Sequence, residues 1–203
     1  MDTLRTILLT GFKPFDGATE NASWRVAQRV AELWDDEREG ARLVTTLLPV
    51  TYADAPAASA AAVEREQPSL ILHLGLAGRR AAVEVERVAI NLADARITDN
   101  AGAQPIDEPL DPTGPAARFA TIPAKAAVTA CTERGLPVKE SLSAGAFVCN
   151  ATLYHSLAGS IPAGFVHLPA VEGAQSDGAP SLPLDTMAEA VSEILRTCLI
   201  SAS

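Results

Sequence analysis

The chain is poor in cysteine, histidine and aromatic residues: three Cys, three His and an aromatic share of 4% in 203 residues. Cys131, Cys149 and Cys198 are far apart, odd in number and free of any CxxC spacing. That pattern speaks against a disulfide framework and against a zinc site, and no metal or other cofactor is expected. Unpaired thiols of this kind suit a reducing cytoplasm. Basic residues are also in deficit, 16 Lys and Arg against 25 Asp and Glu, for a formal charge of −9. A nucleic-acid partner would need a basic patch to neutralise phosphates, and none is visible; an anionic membrane is disfavoured for the same reason. No apolar run approaches the ~18–20 residues of a membrane span. The opening MDTLRTILLTGFKPF carries Asp2 and no small-residue cleavage site, so no secretion signal is expected there. What is abundant is apolar surface. With 48% hydrophobic and 20% charged residues, the chain can bury one sizeable core, and a single domain over residues 1–203 is expected.

Short apolar runs alternate with longer amphipathic ones. Thr6–Thr10 is a leucine-rich run stopped by Gly11 and predicts a buried strand. Ser23 resembles an N-cap, behind which Trp24, Val26, Ala27, Val30, Leu33 and Trp34 recur near helical spacing. Arg42–Leu48 predicts a second strand, the alanine-rich Asp54–Glu66 a helix closed by Pro68, and Leu70–Leu74 a third strand broken at Gly75. Val83–Leu92 mixes apolar and charged residues and suits a more exposed strand. Residues 101–123 hold five prolines and read as a long irregular loop. Further on come a helix over Ala124–Arg134, a strand over Gly164–Leu168 and a second loop over Pro169–Pro183. The last helix carries one stripe of Leu184, Met187, Ala188, Val191, Ile194, Leu195, Cys198 and Leu199. This alternation predicts an α/β fold: a three-layer α/β/α sandwich with a largely parallel, twisted central sheet. Functional residues then gather at the carboxyl ends of strands.

Cys131 falls mid-helix and Cys198 in the apolar stripe, where free cysteine behaves as a packing residue. Cys149 follows the small-residue turn Ser143-Ala144-Gly145-Ala146 and opens a helix-capable run. In a first helical turn the dipole lowers a thiol's pKa and favours thiolate, and exposed backbone N–H groups can hold an oxyanion. The other reading of Cys149 is a small apolar residue at a tight strand-to-helix crossing. A nucleophilic cysteine needs a base. His155 lies six residues on, nearly on the wrong face of one helix, and His73 is embedded in the buried run LILHLGL. His167, at a strand's carboxyl end and a loop mouth, has the best position of the three. Spacing does not choose an orienting acid among Asp16, Glu84, Glu86, Asp94 and Asp99.

These segments resemble the pyroglutamyl peptidase I family of pyrrolidone-carboxylate cysteine peptidases. Ser141-Leu-Ser-Ala-Gly-Ala-Phe-Val-Cys149-Asn150 is similar to that family's nucleophile motif, and Glu86-Arg-Val-Ala-Ile-Asn91 with Asp94-Ala-Arg96 to its acidic motif. Gly164-Phe-Val-His167-Leu-Pro169 resembles the histidine motif, and Thr10-Gly-Phe12-Lys-Pro-Phe15-Asp-Gly17 with Asn21-Ala-Ser-Trp24 the substrate-pocket segment. The resemblance runs from about residue 6 to residue 199. It implies Cys149 as nucleophile, His167 as general base and acid, Glu86 as orienting carboxylate and Arg96 as a support near the oxyanion. It also implies that Phe12, Phe15, Asn21, Phe147 and Val148 enclose the substrate ring. Asp16 stands where the family often has Gly, Glu84 where a small hydroxyl residue is common, and Leu76 where some members carry Gln.

The activity implied is removal of an N-terminal pyroglutamyl (5-oxoproline) residue from peptides through a thioester acyl-enzyme, in a cytoplasmic homotetramer without cofactor. Two other readings stay open. One is a non-hydrolytic pyroglutamate- or peptide-binding homologue, to which Asp16 and Glu84 lend weight. The other is a phosphorylase-like α/β enzyme using Arg79-Arg80, after Gly75-Leu-Ala-Gly78, as an anion site.

Overall fold

A computed structural model of the chain describes residues 4–174 and 178–201. Asp2 and positions 175–177 of the second expected loop lie outside the described residues. In chain order the first half comprises β1 (Arg5–Phe12), α1 (Ala22–Leu33), the one-turn α2 (Asp36–Glu39), β2 (Ala41–Leu48), α3 (Asp54–Glu66) and β3 (Leu70–Leu76). The short strands β4 (Val83–Glu86), β5 (Val88–Ile90) and β6 (Ala117–Phe119) follow, then α4 (Ala124–Glu133), β7 (Val138–Ser141) and α5 (Val148–Ser156). The chain continues through β8 (Ala163–Leu168), β9 (Ala170–Val171), β10 (Ser181–Leu182) and α6 (Leu184–Ser201). No helix among the described residues is long and apolar enough to cross a membrane.

Six strands form the central sheet in the order β2-β1-β3-β8-β4-β7. Every neighbouring pair is parallel except β4 against β8. Alternation along each strand sorts side chains to two faces. Ile7, Leu9, Leu72, Leu74, Val83, Val85, Val166 and Leu168 pack with apolar residues of α1, α4 and α6. On the other face Leu8, Ile71 and Ala163 meet Ala62 of α3, while Phe12 and Phe165 meet Val148, Leu153 and Tyr154 of α5. The molecule is therefore the expected sandwich of helices, sheet and helices.

Several local expectations need correction. The N-cap of α1 is Asn21, not Ser23: the Asn21 side chain accepts the Ser23 backbone N–H at 3.0 Å. Ser23 is buried and its hydroxyl instead accepts the Phe12 N–H at 2.9 Å, tying the helix start to the end of β1. β3 does not break at Gly75 but runs through it to Leu76. The stretch expected as one exposed strand is two, and all four residues of β4 are buried. The 101–123 loop contains β6, which pairs with β5, and a bridge between Glu108 and Ala93. Both α2 and β7 were absent from the sequence-based expectation.

Candidate active site

The site lies on the α5 face of the sheet, where β1, β3 and β8 end. β8 delivers His167, which is buried and paired in register with Gly75 of β3 on one side and with Glu84 of β4 on the other. The two-residue period puts Glu86 on the same face as Glu84 and His167. His167 Nδ1 lies 2.8 Å from Glu86 Oε1, and Glu86 is fully buried. Burial acts to raise the Glu86 pKa, but hydrogen bonding to His167 and Ser141 and the charge of Arg80 outweigh it, so the carboxyl is held below its ordinary value. A carboxylate only accepts, so Nδ1 carries a proton, and Nε2 is the nitrogen left to exchange one with a reacting group.

Cys149 is the second residue of α5. The loop before it turns at Gly145, whose φ of +78° lies in the left-handed region that favours glycine. Three contacts from three segments fix that loop. Arg80 donates to the Ser143 carbonyl at 3.0 Å, while the Tyr52 hydroxyl and the Asp94 N–H donate to the Ala146 carbonyl at 2.8 and 3.1 Å. Phe147, extended and without a side-chain cap bond, leads into α5, so the first N–H groups of the helix face the site without a capping side chain. Asn150 locks α5 to the acidic motif, accepting from Ile90 N–H and donating to the Ile90 and Leu92 carbonyls at 2.9–3.0 Å.

Gly75 explains how the sulfur and the imidazole come together. A Cβ on Gly75 would sit 3.0 Å from Cys149 Sγ and 2.7 Å from the Phe165 ring. The thiol thus packs where a side chain on Gly75 would begin, and the Gly75 backbone is itself roughly 4.8 Å, one strand spacing, from that of His167. Gly75→Ala is expected to push the sulfur out of line and lower kcat by one to two orders of magnitude with little change in KM, since about 1 Å of misplacement costs on the order of 100-fold. Steady-state kinetics of the purified variant would check this; wild-type kcat would mean that the sulfur has room to yield.

The electrostatics differ from the expectation for a first-turn thiol. Cys149 is pushed up to about 12, by burial first and then by the charge of Glu86, against which Arg80 and the residue's own N–H act more weakly. The helix dipole does not win here, and burial favours the thiol over the thiolate. Cys131 and Cys198 are buried, Cys149 only partly.

Cys149 and His167 line one cavity with Phe12, Phe15, Asn21, Phe147 and Val148. Its volume is about 130 Å³, roughly four waters' worth of liquid and well below the ~300 Å³ at which drug-sized sites begin. Phe15 and Phe147 flank it with ring centroids 6.4 Å apart, and Tyr52 meets Phe147 edge-on at 5.5 Å. The enclosure fits one small flat ring.

The chain matches the pyroglutamyl peptidase family over residues 5–199. It is 43% identical to a pyrrolidone-carboxylate peptidase of Clavibacter michiganensis, over 98% of this chain and 94% of that one. It is 44% identical to one of Streptomyces coelicolor, over 93% and 89%. The crystal structure of pyroglutamyl peptidase I from Bacillus amyloliquefaciens superposes with a TM-score of 0.91 at 35% identity, covering 98% of this chain and 96% of that one. A mutant pyrrolidone carboxyl peptidase of Pyrococcus furiosus also gives 0.91, at 32% identity and coverage of 98% and 100%. The chain belongs to the pyroglutamyl peptidase family.

Within that family frame, two expected residues sit differently from their anticipated use. Asn21 is in the cavity wall, but its amide is engaged: Oδ1 accepts from the Ser23 N–H and hydroxyl, and Nδ2 donates to the Lys13 carbonyl at 3.0 Å. It shapes the pocket segment. Arg96 is exposed and lines an adjoining cavity, not the one that holds Cys149 and His167. Other residues of the site went unremarked as such in the sequence. Arg80 contacts Glu84 and Glu86, the latter at 2.7 Å, as well as the loop of Cys149. It is thereby committed, which removes half of the Arg79-Arg80 anion site that a phosphorylase-like enzyme would use. Glu84 is neutralised by Arg80 and by Lys139 at 3.0 Å. Tyr52 and Gly75 carried no motif; the one available signal was a glycine inside a buried run, which marks a close approach.

Proposed function

We propose that this protein is a pyroglutamyl-peptidase I: a cysteine peptidase, built as one catalytic domain, that removes an N-terminal pyroglutamyl residue from peptides. The observation that carries the reading is the small cavity walled by Phe12, Phe15 and Phe147 with Cys149 and His167 in its lining. A pyroglutamyl N-terminus is a neutral lactam with no ammonium to be recognised, so apolar walls suffice. An ordinary aminopeptidase substrate would bring a charge that this enclosure leaves uncompensated.

Peptide binding places the pyroglutamyl carbonyl at Cys149. His167 Nε2 takes the thiol proton as the sulfur attacks, so thiolate and imidazolium arise together and stabilise one another. Glu86, accepting from Nδ1, holds the ring's tautomer and favours its charged form. Backbone N–H groups at the start of α5 hold the tetrahedral oxyanion, donors of a kind worth roughly 3–4 kcal/mol each. His167 then gives its proton to the departing amine, leaving a thioester. Water, deprotonated by His167, attacks the thioester; pyroglutamate leaves and the thiol regains its proton. Phe12, Phe15, Phe147 and Val148 grip the ring, Asn21 supports that wall, and Arg96 lines the adjoining cavity.

The reading extends to a cytoplasmic homo-oligomer, a tetramer by family resemblance. Support comes from three free cysteines and from exposed apolar side chains such as Ile106, Phe119 and Ile200. The decisive experiment is chromophore release from a pyroglutamyl anilide, with alanyl and prolyl anilides as controls. Turnover of the first alone is expected. Comparable turnover of the alanyl substrate, or none of any, would overturn the reading.

A further inference from the structure

Of the 13 arginines in the sequence, ten take part in ion pairs with acidic side chains. Among the described residues the three without such a pair are Arg5, Arg79 and Arg96. Two of these three, Arg79 and Arg96, line the same cavity of about 520 Å³, and that cavity shares Phe15 and Leu76 with the Cys149 pocket. In a chain of net charge −9, acids are plentiful enough to have paired them. The third arginine there, Arg80, is already neutralised by Glu84 and Glu86. Among the described residues the one acid in the lining is Asp16, exposed, without an ion pair to any of them, and held at φ +54° beside Gly17 at +74°. Among the described residues, two guanidinium groups without an ion pair face one carboxylate here, an excess of positive charge.

Its position gives that charge a use. On the peptidase reading the pyroglutamyl ring fills the small cavity with its carbonyl at Cys149, and the shared Phe15–Leu76 wall leads the chain after the scissile bond towards the larger one. The larger cavity has the volume for one or two residues of leaving peptide. Arginine pairs with carboxylates through charge-assisted, often bidentate hydrogen bonds.

We propose that this cavity is the leaving-peptide subsite and that Arg79 and Arg96 make it select peptides carrying a carboxylate directly after the pyroglutamyl residue. This rests on the peptidase reading above and deepens it. The carboxylate has two sources, the free terminus of a pyroglutamyl dipeptide or an acidic side chain. Asp16 opposes either, so its replacement strengthens selection.

The test compares kcat/KM within each enzyme for matched pairs: pyroglutamyl-alanine against its amide for the terminal carboxylate, and pyroglutamyl-glutamate amide against pyroglutamyl-glutamine amide for the side chain. At low salt at least one ratio is expected to favour the charged member by roughly three- to tenfold, the range for one or two partly exposed ion pairs. The preference shrinks in 1 M salt, where the Debye length is about 3 Å. Arg79→Gln is expected to bring the ratio towards one, Arg79→Glu to invert it, and Asp16→Asn to raise it. Arg79 and Asp16 are exposed and make no ion pair among the described residues, so these variants are expected to keep the fold. Ratios near one in the wild type for both pairs, or a preference untouched by Arg79→Glu, would overturn the inference while a pyroglutamyl anilide is still hydrolysed. Failure to hydrolyse that anilide would sink the peptidase reading, and the subsite with it.

Discussion

Replacing Cys149 by serine is expected to lower kcat/KM on a pyroglutamyl anilide by on the order of 10⁴-fold or more while circular dichroism stays that of the wild type. The change is nearly isosteric, and the sulfur packs against Gly75 in a space that oxygen also fits. The loss is chemical. Burial and the charge of Glu86 already push the thiol to about 12, and a hydroxyl, far less acidic, gives its proton to His167 at much greater cost. What survives is the ring pocket and the N–H groups of α5, which account for residual catalysis in comparable triads. A variant retaining a tenth of wild-type activity would remove Cys149 from the covalent step. The same electrostatics fix the behaviour of the free enzyme. Iodoacetamide reaches Cys149 before the buried Cys131 and Cys198, and the alkylation rate keeps climbing with pH through 8 and 9. A plateau beginning below pH 6 would instead reveal a standing thiolate–imidazolium pair.

That shift in the thiol shows where the sequence stops being readable. The position of Cys149 at a helix start was legible, because a small-residue turn followed by a helix-capable run has few other outcomes. Its protonation state was not, since it depends on Glu86 and Arg80, which arrive from β4 and the turn after β3. The same holds for β4 itself. The alternation in Val83-Glu84-Val85-Glu86 does put the valines on the α1–α4–α6 core, as a strand period requires. It also suggests exposed glutamates, yet both are buried, because Arg80, Lys139 and His167 meet them there. Local pattern reports which face a residue is on and is silent about whether that face finds partners. α2 was missed for a related reason. Asp36–Glu39 is polar all round and held by the Asp35 cap and the left-handed Gly40, with no apolar stripe to betray it. β7 carries Lys139 and Glu140 on an edge strand, where charge is tolerated and periodicity is weak. The long runs that face apolar layers, β1, β3, β8 and α6, were readable because burial on one side leaves the sequence little choice.

Acid is expected to destabilise the fold by about 2 kcal/mol between pH 7 and pH 5, above the main carboxylate range and chiefly through His73. His73 is fully buried in β3 between the Thr10 hydroxyl at 2.7 Å and the Ser156 hydroxyl at 2.9 Å. Burial lowers its pKa from 6.5 to about 3, so the folded protein keeps a neutral ring where the unfolded chain takes up a proton. Below pH 6.5 the unfolded state therefore binds one more proton than the native state. The stabilisation is complete above 6.5, falls as the pH falls, and is exhausted near pH 3 at a total of roughly 5 kcal/mol, a large part of what a domain of this size possesses. Glu86 has the same sign, but its contribution is lost only as pH falls below the ordinary carboxyl value of 4.5, outside this window. His155 is also held low, by burial first, though it is exposed and solvent screens its share. Urea titrations at successive pH values would give the slope. His73→Gln, whose amide can donate to one hydroxyl and accept from the other, should flatten that slope whatever it does to stability at pH 7. In the unaltered protein, an NMR titration in which the His73 ring became charged between pH 7 and 5 would refute the explanation directly, since a cation at that buried point in the sheet meets two hydroxyls and, among the described residues, no carboxylate.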